Sequence, residues 1–354
     1  SMAAQLSDGE EIYGLESSRQ PAEEVSDLLQ AHKNHFPELE TAAGELWQTA
    51  GISAADVRGS LTRHLKEVHG IDVEVAAAAD PMGGAVRRYD AGKKRVYVSE
   101  ILPSYDVAFQ LAHQIGLLEL SPTFDRILES REPGSAEAKT LCRVALANYF
   151  AGAVLMPFGR FLDEAERMRY DVELLEHRFR VSFEQVCHRL TTMNGPDRQG
   201  IPFHLVRVDI AGNISKRYSG SGMTFARYSG ACSLWNVHAA FMTPGFIRTQ
   251  VSEMPDGKRY FSIARTVRKA GGGHQVRPTQ YAVEMGCDAR YARDLVYADG
   301  VVLDQAETVV PIGVSCRLCE RMDCRQRAFP PMHHQLAVDE NVRGLSFYYS
   351  PRGG

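Results

Sequence analysis

The stretch Ala108-Phe-Gln-Leu-Ala-His113-Gln114-Ile-Gly-Leu117 decides the fold. It lies in an apolar run from Pro103 to Ser121, with Val107, Leu111, Ile115 and Leu118 on one helical face. On a helix, His-Glu-x-x-His sets two imidazoles one turn apart to bind zinc, with the Glu as general base. Here His113 stands at the first position, Gln114 in place of the Glu and Leu117 in place of the second His. Glutamine cannot take up a proton and leucine cannot bind zinc. On chemistry alone His113 reads as a hydrogen-bonded residue of a core or cleft.

Downstream, helical text runs from Ser135 to Met156, stops before Pro157, and resumes from 158 to 193. Asn194-Gly-Pro-Asp197 breaks it, and the period then changes to two. Phe203–Asp209, Ile214–Tyr218, Ile247–Met254, Tyr260–Val267 and Gln280–Met285 read as strands, with Pro255-Asp-Gly257 as a hairpin turn. Asp288–Tyr297 reads as a helix. Gly271-Gly-Gly273 lacks the Lys-Ser/Thr of a phosphate loop and reads as a hairpin loop. Upstream, Ala85–Tyr89 and Arg95–Val98 flank the turn Asp90-Ala-Gly92, a hairpin. Pro21 to about Gly70 is helical, Ser53 and Asp56 marking a helix start, and residues 1–20 are polar and acidic. The expected fold is α+β: a mainly helical, zincin-like domain that has lost its zinc chemistry, then an antiparallel-sheet α+β domain. The expected divisions are a helical linker over 1–60, the helical domain over 61–196 and the sheet domain over 197–354.

Composition is that of an ordinary globular protein: 354 residues, 44% hydrophobic and 24% charged. A net charge of −4 gives no global nucleic-acid footprint. No apolar run reaches the ~18–20 residues of a membrane span, and no signal layout opens the chain. A cytoplasmic protein without membrane contact is expected. Ser1-Met2-Ala3 has the look of a tag-cleavage scar, so the chain is expected to be cut from something longer.

Seven cysteines in a chain of this kind point to metal or redox chemistry rather than disulfides. Cys316-Arg-Leu-Cys319-Glu-Arg-Met-Asp-Cys324 offers three thiols that can wrap one centre. A fourth ligand must come from elsewhere: Cys232 in Ser229-Gly-Ala-Cys232 is the first choice and Cys287 in Met285-Gly-Cys287 the alternative. A three-plus-one set suits an iron–sulfur cluster better than zinc, whose structural sites usually pair two knuckles. Arg317, Arg321, Arg325 and Arg327 would offset a cluster's negative charge. Cys142 and Cys187, on helical text, read as buried thiols.

The central helix, with Ala147-Asn-Tyr-Phe-Ala-Gly-Ala-Val-Leu-Met-Pro157 after it, resembles the IrrE-like (ImmA-type) peptidase domain. That family's third ligand, a Glu, falls on Val144, so three of four catalytic positions are lost together. Phe203–Val208, Gly230–His238, Tyr297-Ala-Asp-Gly300 and Cys316–Cys324 followed by Gln326-Arg-Ala-Phe-Pro-Pro331 are similar to the short-chain fatty acyl transcriptional regulators, which act in propionate and acetate metabolism. Ser233 stands where that family often has Pro after the cysteine. The resemblance covers roughly 60–335. It implies an acyl-CoA site in the degenerate peptidase domain, propionyl-CoA being the expected ligand. It also implies a [4Fe–4S] cluster in the C-terminal domain and promoter DNA as partner, read by a helix-turn-helix that residues 1–60 do not spell. A homo-oligomer is expected.

On this reading acyl-CoA lies between the 85–98 hairpin and the 105–118 helix. Arg87, Arg88, Lys93, Lys94 and Arg95 would meet its phosphates and Tyr89 its adenine or pantetheine arm. Phe109, Leu117, Tyr149 and Phe150 would shape an acyl pocket, and His113 and Gln114 would bind the thioester carbonyl. Arg167, Arg169 and Tyr170 are further candidates. The rivals are an active IrrE-like zinc metallopeptidase and a zinc-stabilised interaction module without a small ligand. No catalytic residue is expected.

Overall fold

The computed structural model describes residues 20–77, 82–226, 231–269 and 279–332. The expectations for residues 1–19 and for Gly271-Gly-Gly273 fall outside them. It is a mixed α+β structure, helical in its first half and sheet-rich in its second.

Three helices open it: α1 (Pro21–Ala31), α2 (Pro37–Thr49) and α3 (Val57–His69). Proline in the first turn starts α1 and α2, where its missing N–H costs nothing. Asp56 caps α3 by accepting from the Gly59 N–H, and Gly70, at φ 67°, ends it in the left-handed region. A small sheet follows: β1 (Asp72–Ala76), β2 (Arg87–Asp90) and β3 (Arg95–Ser99), in the order β1-β3-β2. β2 and β3 form the expected hairpin, pairing Arg87 with Val98 and Tyr89 with Val96. β1, parallel to β3, was not legible in the sequence: its partner is non-local and only Ala76 of its five residues is buried.

Then come α4 (Ser104–Glu119), α5 (Ser121–Glu129), α6 (Ala136–Leu155), α7 (Phe158–Arg167), α8 (Val172–Phe179) and α9 (Phe183–Leu190). α6 is the central helix. Its Leu146, Ala147, Phe150, Ala151, Ala153 and Val154 are no more than 1% exposed. Gly116 of α4 permits the close approach of α6, because a Cβ there would lie 2.8 Å from Phe150 Cδ1.

The second half is a six-stranded sheet built from β4 (His204–Val208), β5 (Ile214–Ser219), β6 (Arg248–Glu253), β7 (Arg259–Arg268), β8 (Gln280–Asp288) and β9 (Val309–Pro311), in the order β5-β4-β8-β7-β6-β9. All neighbours are antiparallel except β6 and β9. Between β5 and β6 lies a single helical turn, α10 (Asn236–Ala239). The stretch expected as a helix over 288–297 is instead two 3₁₀ pieces, Ala289–Asp294 and Val296–Ala298. Alternation assigns each strand residue to a face. Leu205, Phe261, Ile263, Val283, Met285 and Cys287 join the helices in one large core. Val206, Val208, Tyr260, Ala264 and Ala282 face a second core with Cys232, Trp235 and Ile312.

The turn at Asn194–Asp197 lies between α9 and β4, and the large core runs across it. Ion pairs bind the two layers as well. Glu184 of α9 is buried and meets Arg207 at 2.8 Å, Lys216 at 3.1 Å and Lys269 at 2.5 Å. Burial would raise its pKa, yet His188 and these lysines hold it well below the usual carboxylate range. Among the described residues no single helix is long and apolar enough to cross a membrane.

Candidate ligand cleft and cysteine site

The peptidase-like position is built by α4, α6 and the edge strand β2. His113 and Gln114 are both 4% exposed. Arg87 of β2 reaches across to α4 and donates to His113 Nδ1 at 2.6 Å and to the Gln110 carbonyl at 3.1 Å. The imidazole must therefore be neutral, with a lone pair on Nδ1. Burial and then the Arg87 charge push its pKa down to about 3, against hydrogen bonding to the Val144 backbone. Burial also lowers Arg87 to about 10. Arg87 thus occupies the Nδ1 side of the ring, and a fixed cation beside the imidazole opposes a second cation. Arg87→Ala is expected to raise the His113 pKa by about one unit or more, read from its imidazole resonances in an NMR pH titration. An unchanged titration would contradict this electrostatic picture.

Arg87's inward turn spans from β2 to α4. Arg88, Lys93 and Lys94 are exposed, Tyr89 and Phe109 are half-buried against the large core, and Arg95 pairs with Glu74 at 2.8 Å. Phe150 faces Gly116. Tyr149 lies elsewhere: its hydroxyl donates to Glu40 Oε1 at 2.7 Å and its ring meets Phe36. Arg169 is also remote from the hairpin. Its fork pairs with Asp299 at 2.8 Å on both arms and donates to the Arg293 and Leu295 carbonyls, tying α7's end to the second half. Of the expected acyl-CoA residues, Arg87 and His113 meet directly, while Tyr149 and Arg169 lie apart from them.

A concave surface of about 600 Å³ opens instead where the α2–α3 loop, the start of α4, α7 and the α8–α9 segment meet. Arg58, Arg160, Arg178 and Arg180 line it, with Trp47, Tyr105 and Phe179. Trp47 is fixed by its indole N–H to the Val154 carbonyl at 2.8 Å. The Arg160 guanidinium sits 5.5 Å from the Phe179 ring centre. Arg180 ends α8 at φ 52°, a left-handed conformation costing a non-glycine residue ~1–2 kcal/mol. That turn carries its guanidinium to the Ala55 carbonyl, 3.0 Å away, across the cleft. The three acids on the rim are engaged: Asp56 caps α3, and Glu173 and Glu176 pair with Arg265 at 3.5 and 3.0 Å, while Arg178 itself pairs with Glu164 at 3.1 Å. The cleft was not legible because four separated segments supply it, none with a motif.

The cysteine site lies on the other side of the large sheet. Cys232 and Cys319 are buried, Cys316 and Cys324 partly so. Burial raises the Cys232 thiol, the neighbouring Cys316 and Cys319 thiols add to it, and the Leu234 and Gly313 backbones lower it. The Ala328 N–H points at Cys316 Sγ, 3.5 Å away. A Cβ on Gly313 would come within 2.6 Å of Cys319 Sγ, so the strand leaving β9 can pass the thiol only as glycine. Arg327, 4% exposed, fastens the loop by donating to the carbonyls of Cys316 at 2.7 Å, Cys319 at 2.8 Å and Arg321 at 2.6 Å. This soft donor set, with backbone N–H groups aimed at sulfur, fits a thiolate-bound centre. Cys287 instead lies in the large core with Val283 and Met285, on the opposite face from Cys232.

Two family models match the chain, one over each half. Residues 192–348 match the model of the short-chain fatty acyl coenzyme A regulator, C-terminal, and residues 66–191 that of the IrrE N-terminal-like domain. The chain is 42% identical over 330 residues to the HTH-type transcriptional regulator PrpR of Mycobacterium tuberculosis, covering 93% of this chain and 67% of that protein. It is 39% identical to the HTH-type transcriptional regulator RamB of the same species, over 95% of this chain and 71% of that one. It is 40% identical to the propionyl-CoA carboxylase regulator of Cereibacter sphaeroides, over 93% and 69%. A solved Mycobacterium tuberculosis transcriptional regulator superposes with a TM-score of 0.88 at 41% identity, over 94% of this chain and 100% of that one.

Proposed function

This chain belongs to the short-chain fatty acyl coenzyme A regulator family, a family of transcriptional regulators rather than enzymes, and on that premise we propose that it is the ligand-reading part of a regulator that binds short-chain acyl-CoA. The observation that carries this reading is the cleft at α2–α3, α4, α7 and α8. Coenzyme A offers a pyrophosphate, a ribose phosphate and an adenine. Four arginines and three aromatic rings converge on a space of about 600 Å³, and guanidinium forks and aromatic faces are the groups that recognise such parts. Propionyl-CoA is the ligand suggested by the relative named as a propionyl-CoA carboxylase regulator. The start of α4 lines this cleft. Ligand contact there would bear on the helix that carries His113. Promoter DNA, a cytoplasmic setting and self-association complete the proposal.

In calorimetric titrations, Arg58→Ala and Arg178→Ala are each expected to weaken propionyl-CoA binding roughly tenfold or more, the loss of one charge-assisted phosphate contact. Arg88→Ala on the exposed hairpin should change it little. Unaltered affinity in both cleft variants, with loss in Arg88→Ala, would move the site back to the hairpin.

We further propose that Cys232, Cys316, Cys319 and Cys324 hold a [4Fe–4S] cluster. Among the described residues the one group of three or more donor side chains gathered within 4.8 Å lies elsewhere, so no three of these thiols are that close. Tetrahedral zinc would need sulfurs about 3.8 Å apart, whereas a cubane spreads its ligands more widely. When bound, the cluster would supply an electron-accepting group and a covalent clasp on the C-terminal loop. The protein's own part is played by Arg327, which fixes the carbonyls of that loop, and by Arg321, which donates to the Ile312 and Glu253 carbonyls.

A further inference from the structure

His64 and His69 lie five residues apart near the end of α3, and Glu119 is the last residue of α4. Both imidazoles direct Nε2 at the same atom, Glu119 Oε1, each from 2.7 Å. Their rings stand 5.9 Å apart at 72°. One ligand atom from each of the three lies within 4.8 Å of the others. The His64 side chain is 7% exposed, His69 23% and Glu119 29%, so the inner face is dry and the outer one open.

We propose that His64, His69 and Glu119 form a binding site for a divalent transition-metal ion of the zinc class. Two neutral imidazoles and one carboxylate are a donor set that zinc accepts, leaving a fourth position for water. A shift of each imidazole to the Nδ1–H tautomer presents both Nε2 lone pairs without releasing a proton. Tetrahedral ligation needs the nitrogens and oxygen about 3.3 Å apart, so each imidazole must open from the carboxylate by about half an ångström, the two nitrogens already lying within 4.8 Å of each other. The site shares no residue with the lost peptidase position, since His113 is six residues earlier on α4, about 9 Å along its axis. It is equally separate from the cysteines. An ion here would clamp the end of α4 to α3.

The test is a Co²⁺ titration of the full chain followed by visible absorption. Imidazole–carboxylate ligation gives d–d bands without the thiolate charge transfer that cysteine binding would add, so the two kinds of site are told apart in one experiment. One such Co²⁺ per chain is expected. His69→Ala and Glu119→Gln, both at partly exposed positions, should each weaken it roughly tenfold or more while leaving the circular dichroism unchanged. Absence of the d–d bands in the wild type, or their persistence at wild-type affinity in both variants, would overturn the proposal and leave a hydrogen-bonded triad.

Discussion

Replacing Cys319 by Ser is expected to take iron and acid-labile sulfide from about four of each per chain to none, and to bleach the broad absorption at about 400 nm. Hydroxyl is a poor substitute for thiolate on soft iron, and Cys319 is the most enclosed of the three clustered cysteines. Its thiol lies against Gly313, whose backbone also faces Cys232. Losing it would remove the link between the 316–324 loop and the second core. Cys232→Ser should do the same from the other side. Cys287→Ser should leave the iron intact, because that side chain is in the large core across the sheet. Retention of colour in Cys232→Ser with its loss in Cys287→Ser would reassign the fourth ligand. A colourless wild-type protein with one zinc per chain would replace the cluster by a zinc staple.

Glu40→Ala is expected to lower stability by about 3–5 kcal/mol, or the melting temperature by roughly 5 °C. Arg189, 2% exposed, pairs with Glu40 through two nitrogens at 2.6 and 2.9 Å. Tyr149 donates to the same carboxylate, and Arg189 also donates to the Met156 carbonyl at 2.9 Å. Removing the acid strands a buried guanidinium, which costs more than the pair contributes in net terms. The pH dependence has a definite sign. Burial would raise Glu40, but Arg189 and Tyr149 hold its carboxyl below the ordinary value of 4.5. Its contribution is therefore full above about pH 4.5 and is lost as the pH falls through the lower, folded value. Chemical denaturation at pH 7 and pH 4 checks both parts. The Glu40→Ala deficit should shrink at the lower pH, and a deficit independent of pH would contradict the ionic reading.

The fold was legible where its signal is local. The helix around His113, the hairpin at 87–99 and the change of period after Asn194 could each be read from neighbours in the chain. The cysteine triplet was legible because its three thiols share one loop. What could not be read is which non-local groups meet. Arg87 read as one of five hairpin cations for a ligand's phosphates, and only the packing of β2 on α4 turns it to His113. Tyr149 looked available to a ligand, yet its partner Glu40 is 109 residues away. Arg169, placed with the acyl-CoA candidates, meets Asp299, 130 residues on and inside the Tyr297-Ala-Asp-Gly300 text quoted for the family resemblance. Cys287, the alternative to Cys232 as fourth ligand, is put in the large core by strand parity, whereas Cys232 packs from its loop into the second core. Electrostatic and ligand sites depend on such meetings, so the residue types were readable and their grouping was not.

The most direct measurement is equilibrium dialysis of propionyl-CoA against the wild-type chain, with the same preparation assayed for zinc at His113 and for polypeptide cleavage. Saturable uptake of one ligand per chain, with neither zinc at His113 nor cleavage, is the expected result. No saturable uptake, or a zinc-dependent cut in a polypeptide, would contradict it.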